Sequence, residues 1–357
     1  MESKILRAIR MMPYGFFVQG GTMEIKVKTK QKQYTVMLER GLLQKASSLI
    51  GRHGHVYLVS EDGVPAAFRN TLQQQYPEAA MYVFPHGEQS KNLTTWQQIL
   101  KDMLEHDLGR KDTVIALGGG VTGDMAGFAA AAYMRGIPYI NIPTTSLAMI
   151  DSSIGGKTAV DFNGVKNSIG AFWQPDLVLV DPDLLAPLPV RHLHNGLVEA
   201  VKEGLTFDPQ LFAIFEHDDY LDHIDEIIAR CLQIKRDVVE QDEREGGIRK
   251  LLNFGHTYGH ALESYFGLNG YYHGECVGMG MMMIMNNPEL KIRLQAVLER
   301  MNCPVSCTYD PEAVYQLLCH DKKADHDHVT IVQVDEIGKG HLEDWPLPKL
   351  KERLYHE

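Results

Sequence analysis

The sequence of 357 residues has little cysteine and no cysteine pair with CxxC spacing. Its five cysteines are an odd number, and CxxC spacing is typical of thiolate metal sites and redox motifs. The pattern therefore argues against a disulfide framework and against a zinc site built from thiolates. It indicates a reducing compartment, and we expect the protein to be cytoplasmic. The cysteines are Cys231, Cys276, Cys303, Cys307 and Cys319.

The chain also lacks long apolar runs and an excess of positive charge. It contains no 18 consecutive apolar residues, so no transmembrane helix is predicted. The formal net charge is -11 at pH 7, whereas binding to a nucleic-acid backbone requires a basic face. We therefore expect neither a membrane nor a nucleic-acid partner. If the substrate is an anion, its positively charged pocket has to be local.

The length of the chain predicts two domains, preceded by a short extension. Residues 1–22 carry basic residues and a short, interrupted apolar patch without a cleavage site of small residues. We interpret them as a flexible N-terminal extension, and a weak targeting helix is the alternative. The segment that begins at Met23 alternates as a β-hairpin does, so the fold is expected to start there.

The first half of the chain alternates short apolar runs with helical segments, as a parallel α/β sheet does. Apolar runs bounded by turn residues fit buried parallel strands. These runs lie at 55–60, 80–84, 113–117, 139–142 and 177–181. Prolines in 182–189 mark the predicted domain boundary, and the remainder follows a mostly helical pattern.

A glycine-rich loop follows the third of these strands. Gly118, Gly120 and Gly123 satisfy the pattern GxGxxG, and an alanine-rich helix is expected after them. Such glycines let the backbone approach a pyrophosphate, whose charge is favoured by a helix N-terminus. The usual acidic ribose ligand about 20 residues later is missing, and Glu61 or Asp62 at an earlier strand end can replace it. The alternative is a tight turn that only packs the helix on the sheet.

These patterns together predict an α/β fold with two domains. The first is an N-terminal Rossmann-like parallel-sheet domain at 23–182, which we expect to bind a dinucleotide at its glycine-rich loop. The second is a C-terminal, mostly α-helical domain at 183–357, which binds metal and substrate.

Three histidines with glycine neighbours occur in the second half of the chain. His256 and His260 stand four residues apart, so both imidazoles are expected on one face of a helix. That helix is expected to include the leucines before His256. His273 follows later, in the sequence HGE. A catalytic zinc site uses three protein ligands, often imidazoles, and keeps an open position. Glu199, three residues before Lys202, is the candidate carboxylate ligand. The alternatives are ordinary packing of the histidines and a surface contact between glutamate and lysine.

Basic residues stand beside glycine turns in the segment between the two halves. Lys157 and Lys166 lie in such loops, where lysine suits a phosphate group as a point charge, and Arg135 can bind phosphate through two nitrogens. Each of them taken singly is typical of a solvated surface charge. Their clustering with small residues and Asn167 favours an anion site.

Taken together, these motifs resemble the 3-dehydroquinate synthase family. The resemblance covers nearly everything from Met23 onward and is densest between Gly87 and Gly280. The motifs follow one another as GEQSK, GGGVTGDMAGF, RGIPYINIPTT, DSSIGGKT, GVKN, GLVEAVK, LLNFGHTYGHALE and HGE. The resemblance implies a lyase of the shikimate pathway, which leads to chorismate and the aromatic amino acids.

The family's reaction is the conversion of 3-deoxy-D-arabino-heptulosonate 7-phosphate to 3-dehydroquinate and phosphate. The resemblance implies a transient NAD-dependent oxidation, β-elimination of phosphate, re-reduction, ring opening and an intramolecular aldol reaction. It implies NAD and Zn2+, or Co2+ in place of zinc, as cofactors. It also implies a homodimer in which Arg135 reaches the neighbouring subunit's site.

The resemblance further assigns roles to individual residues. Metal ligands would be Glu199, His256 and His273. NAD would be held by Glu61, Glu88, Lys91, Gly119, Gly120, Val121, Asp124, Thr144, Thr145, Lys157 and Lys166. Substrate would be contacted by Asp151, Lys157, Asn167, Lys202, Lys235, Arg249, Asn253, His260 and Lys322 or its neighbour Lys323. The catalytic residues among these would be Lys157, His260, Asn167 and Lys202, together with Arg135.

The sequence departs from the family pattern at three positions. Pro187 stands where threonine is common, His192 where glutamate is common, and Glu203 where tyrosine or histidine is usual. The first two fall near the expected nicotinamide side of the site.

Three other functions fit parts of the pattern. Other sugar phosphate cyclases, such as 2-deoxy-scyllo-inosose synthase or sedoheptulose 7-phosphate cyclases, share the chemistry, but their substrates lack the carboxylate that Lys235, Arg249 and Asn253 are suited to hold. A metal-dependent polyol dehydrogenase resembling glycerol dehydrogenase would produce NADH and would not need phosphate-binding lysines. A zinc-dependent interaction module or NAD sensor would bind cofactor without releasing phosphate.

Overall fold

The computed structural model of the chain describes residues 21–51, 54–267, 270–321 and 328–356. The predicted extension 1–22 therefore lies almost wholly outside the described residues, as do Lys322 and Lys323. Two compact units follow one another in the chain, and the change falls between Pro189 and Val190. We call the described part up to Pro189 the sheet unit and the part from Val190 the helical unit. The assignment of NAD to the first and of metal and substrate to the second stays a prediction.

The sheet unit contains nine strands among its described residues. They are β1 (Met23–Lys28), β2 (Gln33–Leu38), β3 (Val56–Glu61), β4 (Ala80–Phe84), β5 (Thr113–Gly118), β6 (Tyr139–Pro143), β7 (Lys157–Phe162), β8 (Val165–Phe172) and β9 (Leu177–Val180). Seven of them form one sheet in the order β1-β2-β9-β6-β5-β3-β4, and β7 and β8 form a separate hairpin. In the large sheet β1 and β2 pair antiparallel and all other neighbours pair parallel. The predicted first hairpin and the predicted parallel strands are confirmed.

Four α-helices accompany these strands in the described residues: α1 (Ala46–Ile50), α2 (Ala66–Gln75), α3 (Leu93–Glu105) and α4 (Gly120–Ala132). Asn92 caps α3, since its side chain accepts a hydrogen bond from Thr95 N at 2.9 Å. All six residues of β5 are buried, as expected for an interior parallel strand. The core of this unit joins α3 and α4 to the central strands through Met103, Met125, Ala126, Val59, Val114 and Ala116.

The helical unit contains eight α-helices and one hairpin in its described residues. The helices are α5 (Val190–Thr206), α6 (Pro209–Phe215), α7 (Ile224–Gln241), α8 (His256–Phe266), α9 (His273–Ile284), α10 (Pro288–Arg300), α11 (Pro311–Asp321) and α12 (Leu347–His356). The hairpin pairs β10 (His328–Val334) with β11 (Gly340–Pro346) in antiparallel register. Among the residues that the structure describes, no helix combines the length and the apolar character needed to cross a membrane.

Three parts of the predicted secondary structure are wrong. The leucines before His256 do not belong to its helix, because Ile248–Asn253 forms a separate 3-10 turn. Gly255 then takes a φ of 80°, a left-handed conformation that favours glycine and ends the turn. The second error concerns β10 and β11, which lie in a region predicted to be helical. β7 and β8 were likewise expected as loops, since their exposed lysine and asparagine side chains hide the strand pattern.

Candidate active site

The glycine-rich loop lies at the carboxyl end of β5, where the chain enters α4. Gly119 precedes the helix, and its backbone N–H donates to Glu61 Oε1 at 3.3 Å. A Cβ at Gly119 would lie 3.1 Å from Thr145 Cγ2, so a side chain there would require Thr145 to shift by a few tenths of an ångström. No side chain caps the first turn of α4, which leaves its amides and its dipole for an anion. The predicted order of strand, loop and helix is confirmed.

Glu61 is the acidic residue that reaches this loop. It ends β3, and burial raises the pKa of its carboxyl against the opposing effect of the Gly119 N–H. Asp62, the other candidate for the ribose, is exposed and pairs with His86 Nδ1 at 2.6 Å. Thr144 lies at the end of β6 and donates its N–H to Gly118 O at 2.9 Å. The strand ends therefore bring predicted NAD contacts from β3, β5 and β6 together.

Lys91 connects predicted cofactor residues with a predicted substrate residue. Its Nζ lies 2.6 Å from Asp124 Oδ2 and 3.9 Å from Glu88 Oε1, and it donates to Asn167 Oδ1 at 2.5 Å. Burial alone would lower the pKa of Lys91, but the carboxylates of Asp124 and Glu88 raise it above the usual value. Lys91 therefore remains a cation and holds the amide of Asn167 in place.

Asn167 itself has an unusual backbone. Its φ of 52° is left-handed, a conformation that asparagine tolerates better than most residues. Asp161 supports it, since Asp161 Oδ1 accepts the Asn167 N–H at 2.8 Å. The backbone N–H of Asp161 donates in turn to Lys91 O at 2.8 Å. Sequence reasoning missed Asp161, because its proximity to Asn167 depends on the register of β7 and β8.

The other predicted residues of this unit lie around the same strand ends or on the surface. Lys157 begins β7 and Lys166 lies in β8, both with exposed side chains. Asp151 belongs to a π-helical turn that follows β6, and Val121 packs from α4 against the core. Arg135 is exposed and has a φ of 69°. Their proposed contacts with NAD and substrate stay predictions.

In the helical unit, Glu199, His256 and His273 bring ligand atoms within 4.8 Å of one another. Glu199 Oε1 lies 3.7 Å from His256 Nε2 and 3.4 Å from His273 Nε2. Two ligands at about 2.1 Å from a tetrahedral zinc ion are about 3.4 Å apart. The observed separations are close to that value and exceed those of ordinary hydrogen bonds. The donor set and its spacing therefore fit Zn2+ or Co2+.

The charge on Glu199 suits this arrangement. Glu199 and Lys202 are each 1% exposed and form an ion pair, so the surface contact considered as an alternative is excluded. Burial alone would raise the pKa of Glu199, but Lys202 and the two imidazoles hold it well below its usual range. The carboxyl group is therefore ionised and able to bind a cation. Its Oε1 makes no hydrogen bond of ordinary geometry within the described residues.

Glycines allow the two histidine-bearing helices to approach closely. A Cβ at Gly259 of α8 would lie 3.1 Å from Cys276 O, and one at Gly280 of α9 would lie 2.7 Å from Gly259 N. The ring centroids of His256 and His273 are consequently only 5.3 Å apart. Close packing of α8 on α9 thus brings imidazoles from separate helices into one cluster.

Contacts from α5 determine where α9 begins. Glu275 accepts hydrogen bonds from Arg191 at 2.7 and 2.8 Å and from Tyr272 N at 2.8 Å. Arg191 also lies over the Tyr272 ring, 4.1 Å from its centroid. His192 stacks on the same ring at 4.7 Å, so this departure from the family pattern contributes to the same contact.

A second contact between α5 and α9 lies next to the metal ligands. Asn195 Oδ1 accepts the Gly274 N–H at 2.6 Å, directly after His273. Asn195 precedes Glu199 by one turn of α5. One helix therefore presents the carboxylate ligand and also holds the start of the helix that presents His273. These contacts were not predicted, although Glu275 at the third position of the helix is a recognisable capping signal.

Comparison with known proteins agrees with this architecture. A family model for the 3-dehydroquinate synthase N-terminal region matches residues 81–195, and one for its C-terminal region matches residues 196–324. The 3-dehydroquinate synthase of Streptococcus thermophilus is 38% identical over an alignment of 355 positions. The match covers 93% of this chain and 99% of that protein. The chain belongs to the 3-dehydroquinate synthase family.

Solved structures of other cyclases share the fold. One of them is a 2-epi-5-epi-valiolone synthase from Streptomyces hygroscopicus subsp. jinggangensis 5008, solved with NAD+ and Zn2+ bound. It matches with a TM-score of 0.83 and 25% identity, and the match covers 92% of this chain and 98% of that one. A 2-deoxy-scyllo-inosose synthase has a TM-score of 0.85 and 24% identity, with coverage of 94% and 100%. The fold is therefore common to several cyclases, and the higher identity to 3-dehydroquinate synthases separates this chain from them.

Within the 3-dehydroquinate synthase motif LLNFGHTYGHALE, two further residues lie beside the predicted metal ligands. The ring centroid of His260 is 5.1 Å from that of His256, as the four-residue spacing predicts. Glu263 Oε2 lies 3.3 Å from His273 Nδ1. Burial alone would lower the pKa of His273, but Glu199 and Glu263 raise it to about 10. Sequence reasoning missed Glu263, although it stands seven residues after His256 and so shares its helix face.

The family's expected substrate residues in the helical unit are mostly buried. Lys235 is 5% and Arg249 3% exposed, and Arg249 Nη1 donates to Glu243 O at 2.6 Å. Asn253 Nδ2 donates to Glu245 Oε1 at 2.6 Å, a partner that was not predicted. The contacts of these side chains with a substrate carboxylate stay a prediction. Lys322 lies outside the described residues.

Glu203, the third departure from the 3-dehydroquinate synthase pattern, is fully buried on α5. It lies against Cys231 of α7, where burial and the Glu203 carboxyl raise the pKa of the thiol well above its usual value. The thiol is therefore protonated and unreactive. At this position the chain uses a polar contact between two helices in place of an aromatic ring.

Proposed function

We propose that this chain is a 3-dehydroquinate synthase that converts 3-deoxy-D-arabino-heptulosonate 7-phosphate to 3-dehydroquinate and phosphate. It thereby serves the shikimate pathway to chorismate and the aromatic amino acids. One observation carries the proposal: a buried carboxylate and two imidazoles have the spacing of ligands to one divalent cation, in a family member. The full-length identity to 3-dehydroquinate synthases supports this substrate over those of other cyclases.

The cofactors are NAD and a divalent cation, Zn2+ or Co2+. Glu199, His256 and His273 hold the cation, and the amides at the start of α4 hold the pyrophosphate of NAD, with Glu61 at a ribose. When bound, NAD would supply a reversible oxidation of the substrate carbinol, and the ion would supply Lewis acidity. The buried ammonium group of Lys91 offsets the negative charges of Asp124 and Glu88 beside the loop.

The chain's own charged groups bind and orient the two anionic ends of the substrate. Lys157, Asn167, His260 and Arg135 hold the phosphate group, and Lys235 and Arg249 hold the carboxylate. In the elimination step a phosphate oxygen accepts the proton from carbon while the carbon–oxygen bond to phosphate breaks. Lysine and arginine near the departing phosphate stabilise its growing charge without moving, as preorganised groups do. The acidic chain thus needs only a local positive field.

The proposal includes a homodimer in the cytoplasm, with Arg135 completing the neighbouring subunit's site. The exposed position of Arg135 supports this, because its side chain lies at the surface where a second subunit can meet it. The five cysteines, an odd number that does not indicate a disulfide framework, support a reducing compartment.

An assay of phosphate release with parallel recording of NADH absorbance tests the function. We expect phosphate and 3-dehydroquinate in equal amounts from the heptulosonate phosphate, with no net accumulation of NADH. A chelator should abolish the release, and Zn2+ or Co2+ should restore it. Net NADH from a polyol without phosphate release would instead show a dehydrogenase. Turnover of glucose 6-phosphate or sedoheptulose 7-phosphate in place of the heptulosonate phosphate would show another cyclase.

A further inference from the structure

The imidazole of His273 uses its two nitrogens in two directions. Nε2 lies 3.4 Å from Glu199 Oε1, on the side of the proposed cation, and Nδ1 lies 3.3 Å from Glu263 Oε2. Because binding of a metal ion releases protons from its ligands, His273 would bind the cation as a neutral imidazole, which has one nitrogen with a lone pair and one with a proton. If Nδ1 carries the proton and donates it to Glu263, the lone pair of Nε2 is directed at the cation.

We propose that Glu263 is the positioning residue of the metal site: it accepts a hydrogen bond from His273 Nδ1 and so selects the tautomer and ring orientation in which Nε2 coordinates. This inference rests on the proposed function, since it concerns the cation of that same site. Carboxylates that orient metal-bound histidines in this way typically change metal affinity by about 10–100-fold when they are removed.

The position of Glu263 on α8 suits this role. It follows His256 by seven residues, so its side chain projects from the same face of the helix as the metal ligand. The Glu263 side chain is 13% exposed and that of His273 27% exposed, so little water competes for the contact. One helix thereby supplies a ligand and also orients the ligand of the helix packed against it.

Glu263 also decides which of two overlapping groups binds the ion. His260, Glu263 and His273 form a second group whose ligand atoms lie within 4.8 Å of one another. Both groups need His273, whose neutral ring offers only one lone pair. A hydrogen bond from Nδ1 to Glu263 leaves the lone pair on Nε2, where it can bind the ion that Glu199 and His256 also bind. The chain should therefore bind one ion per subunit at this place.

Metal affinity tests the inference without any measurement of activity. Zn2+ or Co2+ binding to the full chain is measured by competition with a chromophoric chelator, together with metal content per subunit and the visible absorption spectrum of the Co2+ form. Glu263→Ala should weaken binding about 10–100-fold. Glu263→Gln keeps an oxygen acceptor and should restore most of the affinity with the native Co2+ spectrum. Glu299→Ala, which removes an exposed carboxylate from α10, is the matched control and should bind as the native chain does.

The possible outcomes separate this inference from the proposed function. Native affinity in Glu263→Ala would overturn the inference alone. An equal loss of metal affinity in the alanine and glutamine variants, together with an altered Co2+ spectrum, would show that Glu263 is itself a ligand and would overturn the inference. A second ion bound by the native chain would overturn it as well. Melting curves of the metal-free variants show whether folding is affected. A native chain that binds no divalent ion would overturn the proposed function and the inference together.

Discussion

Lys202 shows how burial changes the meaning of a residue pair. Its three-residue spacing from Glu199 is typical of a solvated helix contact worth a few tenths of a kcal/mol. The structure instead buries both side chains on α5. Removal of one member of a buried ion pair costs about 3–5 kcal/mol, because the other charge is left uncompensated. The sequence identifies the two residues, but it does not reveal their burial.

We therefore predict that Lys202→Met lowers the melting temperature of the metal-free chain and that Zn2+ recovers much of the loss. The cation replaces the missing ammonium group as the partner of Glu199, and a ligand that binds the native state stabilises it. Thermal unfolding in the presence of a chelator or of Zn2+ measures both effects. Lys339→Met is the matched control, since Lys339 pairs with Glu336 at the same spacing but in solvent. Equal destabilisation with and without Zn2+ would contradict the account.

Lys157 is predicted to act on the phosphate group and not on the metal. Lys157→Ala should lower kcat/KM by roughly 100-fold or more, because a preorganised cation at the leaving group is lost. Its zinc content should remain that of the native chain. Steady-state kinetics and metal analysis test the two parts separately. Lys101→Ala, which removes a solvated lysine from α3, should leave both unchanged, and an unchanged rate for Lys157→Ala would remove the phosphate role.

At the scale of elements, periodicity and turn residues were enough to predict most strands and helices. The strands that end in glycine or acidic residues were predicted within about a residue of their observed bounds, since hydrophobic periodicity identifies elements well and their ends less well. The break at Gly255 was not predicted, because only the observed φ of 80° shows that the helix begins afresh at His256. The hairpin of β7 and β8 was missed because no residue of β8 is buried, so the strand lacks a hydrophobic face.

The packing of α8 on α9 should be sensitive to a single methyl group. Gly280→Ala would place a Cβ against Gly255 O and 2.7 Å from Gly259 N, so the helices must separate. We expect a loss of about 1–3 kcal/mol in the free energy of unfolding, as for other overpacked cores. Metal affinity should fall as well, because the histidines lie on the separating helices.

Denaturant unfolding and chelator competition measure these two effects. Gly246→Ala serves as the control, since the nearest atom to its Cβ would be Asp242 Oδ1 at 4.0 Å. Native stability in Gly280→Ala would show that the two helices tolerate a larger separation than the account allows.

At the scale of the whole molecule, the sequence predicts the chemistry of the site better than its contacts. The spacing of His256 and His260 and the pattern GxGxxG are local signals, and both are readable in the sequence. The contact between Gly119 and Glu61 spans 58 residues, and that between Arg191 and Glu275 spans 84. Such pairs depend on sheet order and helix packing, which no local pattern encodes. Asp161 and Glu263 are only six and ten residues from their partners Asn167 and His273. They were missed because these contacts depend on the register of the β7–β8 hairpin and on the packing of α8 on α9.

The proposed homodimer makes a quantitative prediction about mixed subunits. Arg135→Ala and His256→Ala should each be inactive, yet their mixed dimers should contain one complete site. Co-expression of the two variants in equal amounts should restore up to about a quarter of native activity, because about half of the dimers are mixed and each holds one site of two. Native mass spectrometry counts the mixed dimers. Mixed dimers without activity would show that Arg135 acts within its own subunit.

The central claim is that Glu199, His256 and His273 bind one divalent cation. A crystal structure of the chain grown with NAD and Zn2+, with anomalous data at the zinc edge, tests it most directly. We predict a single anomalous peak at about 2.0–2.2 Å from a Glu199 oxygen and from Nε2 of both histidines. No peak at that place, or a peak among His260, Glu263 and His273, would contradict the account.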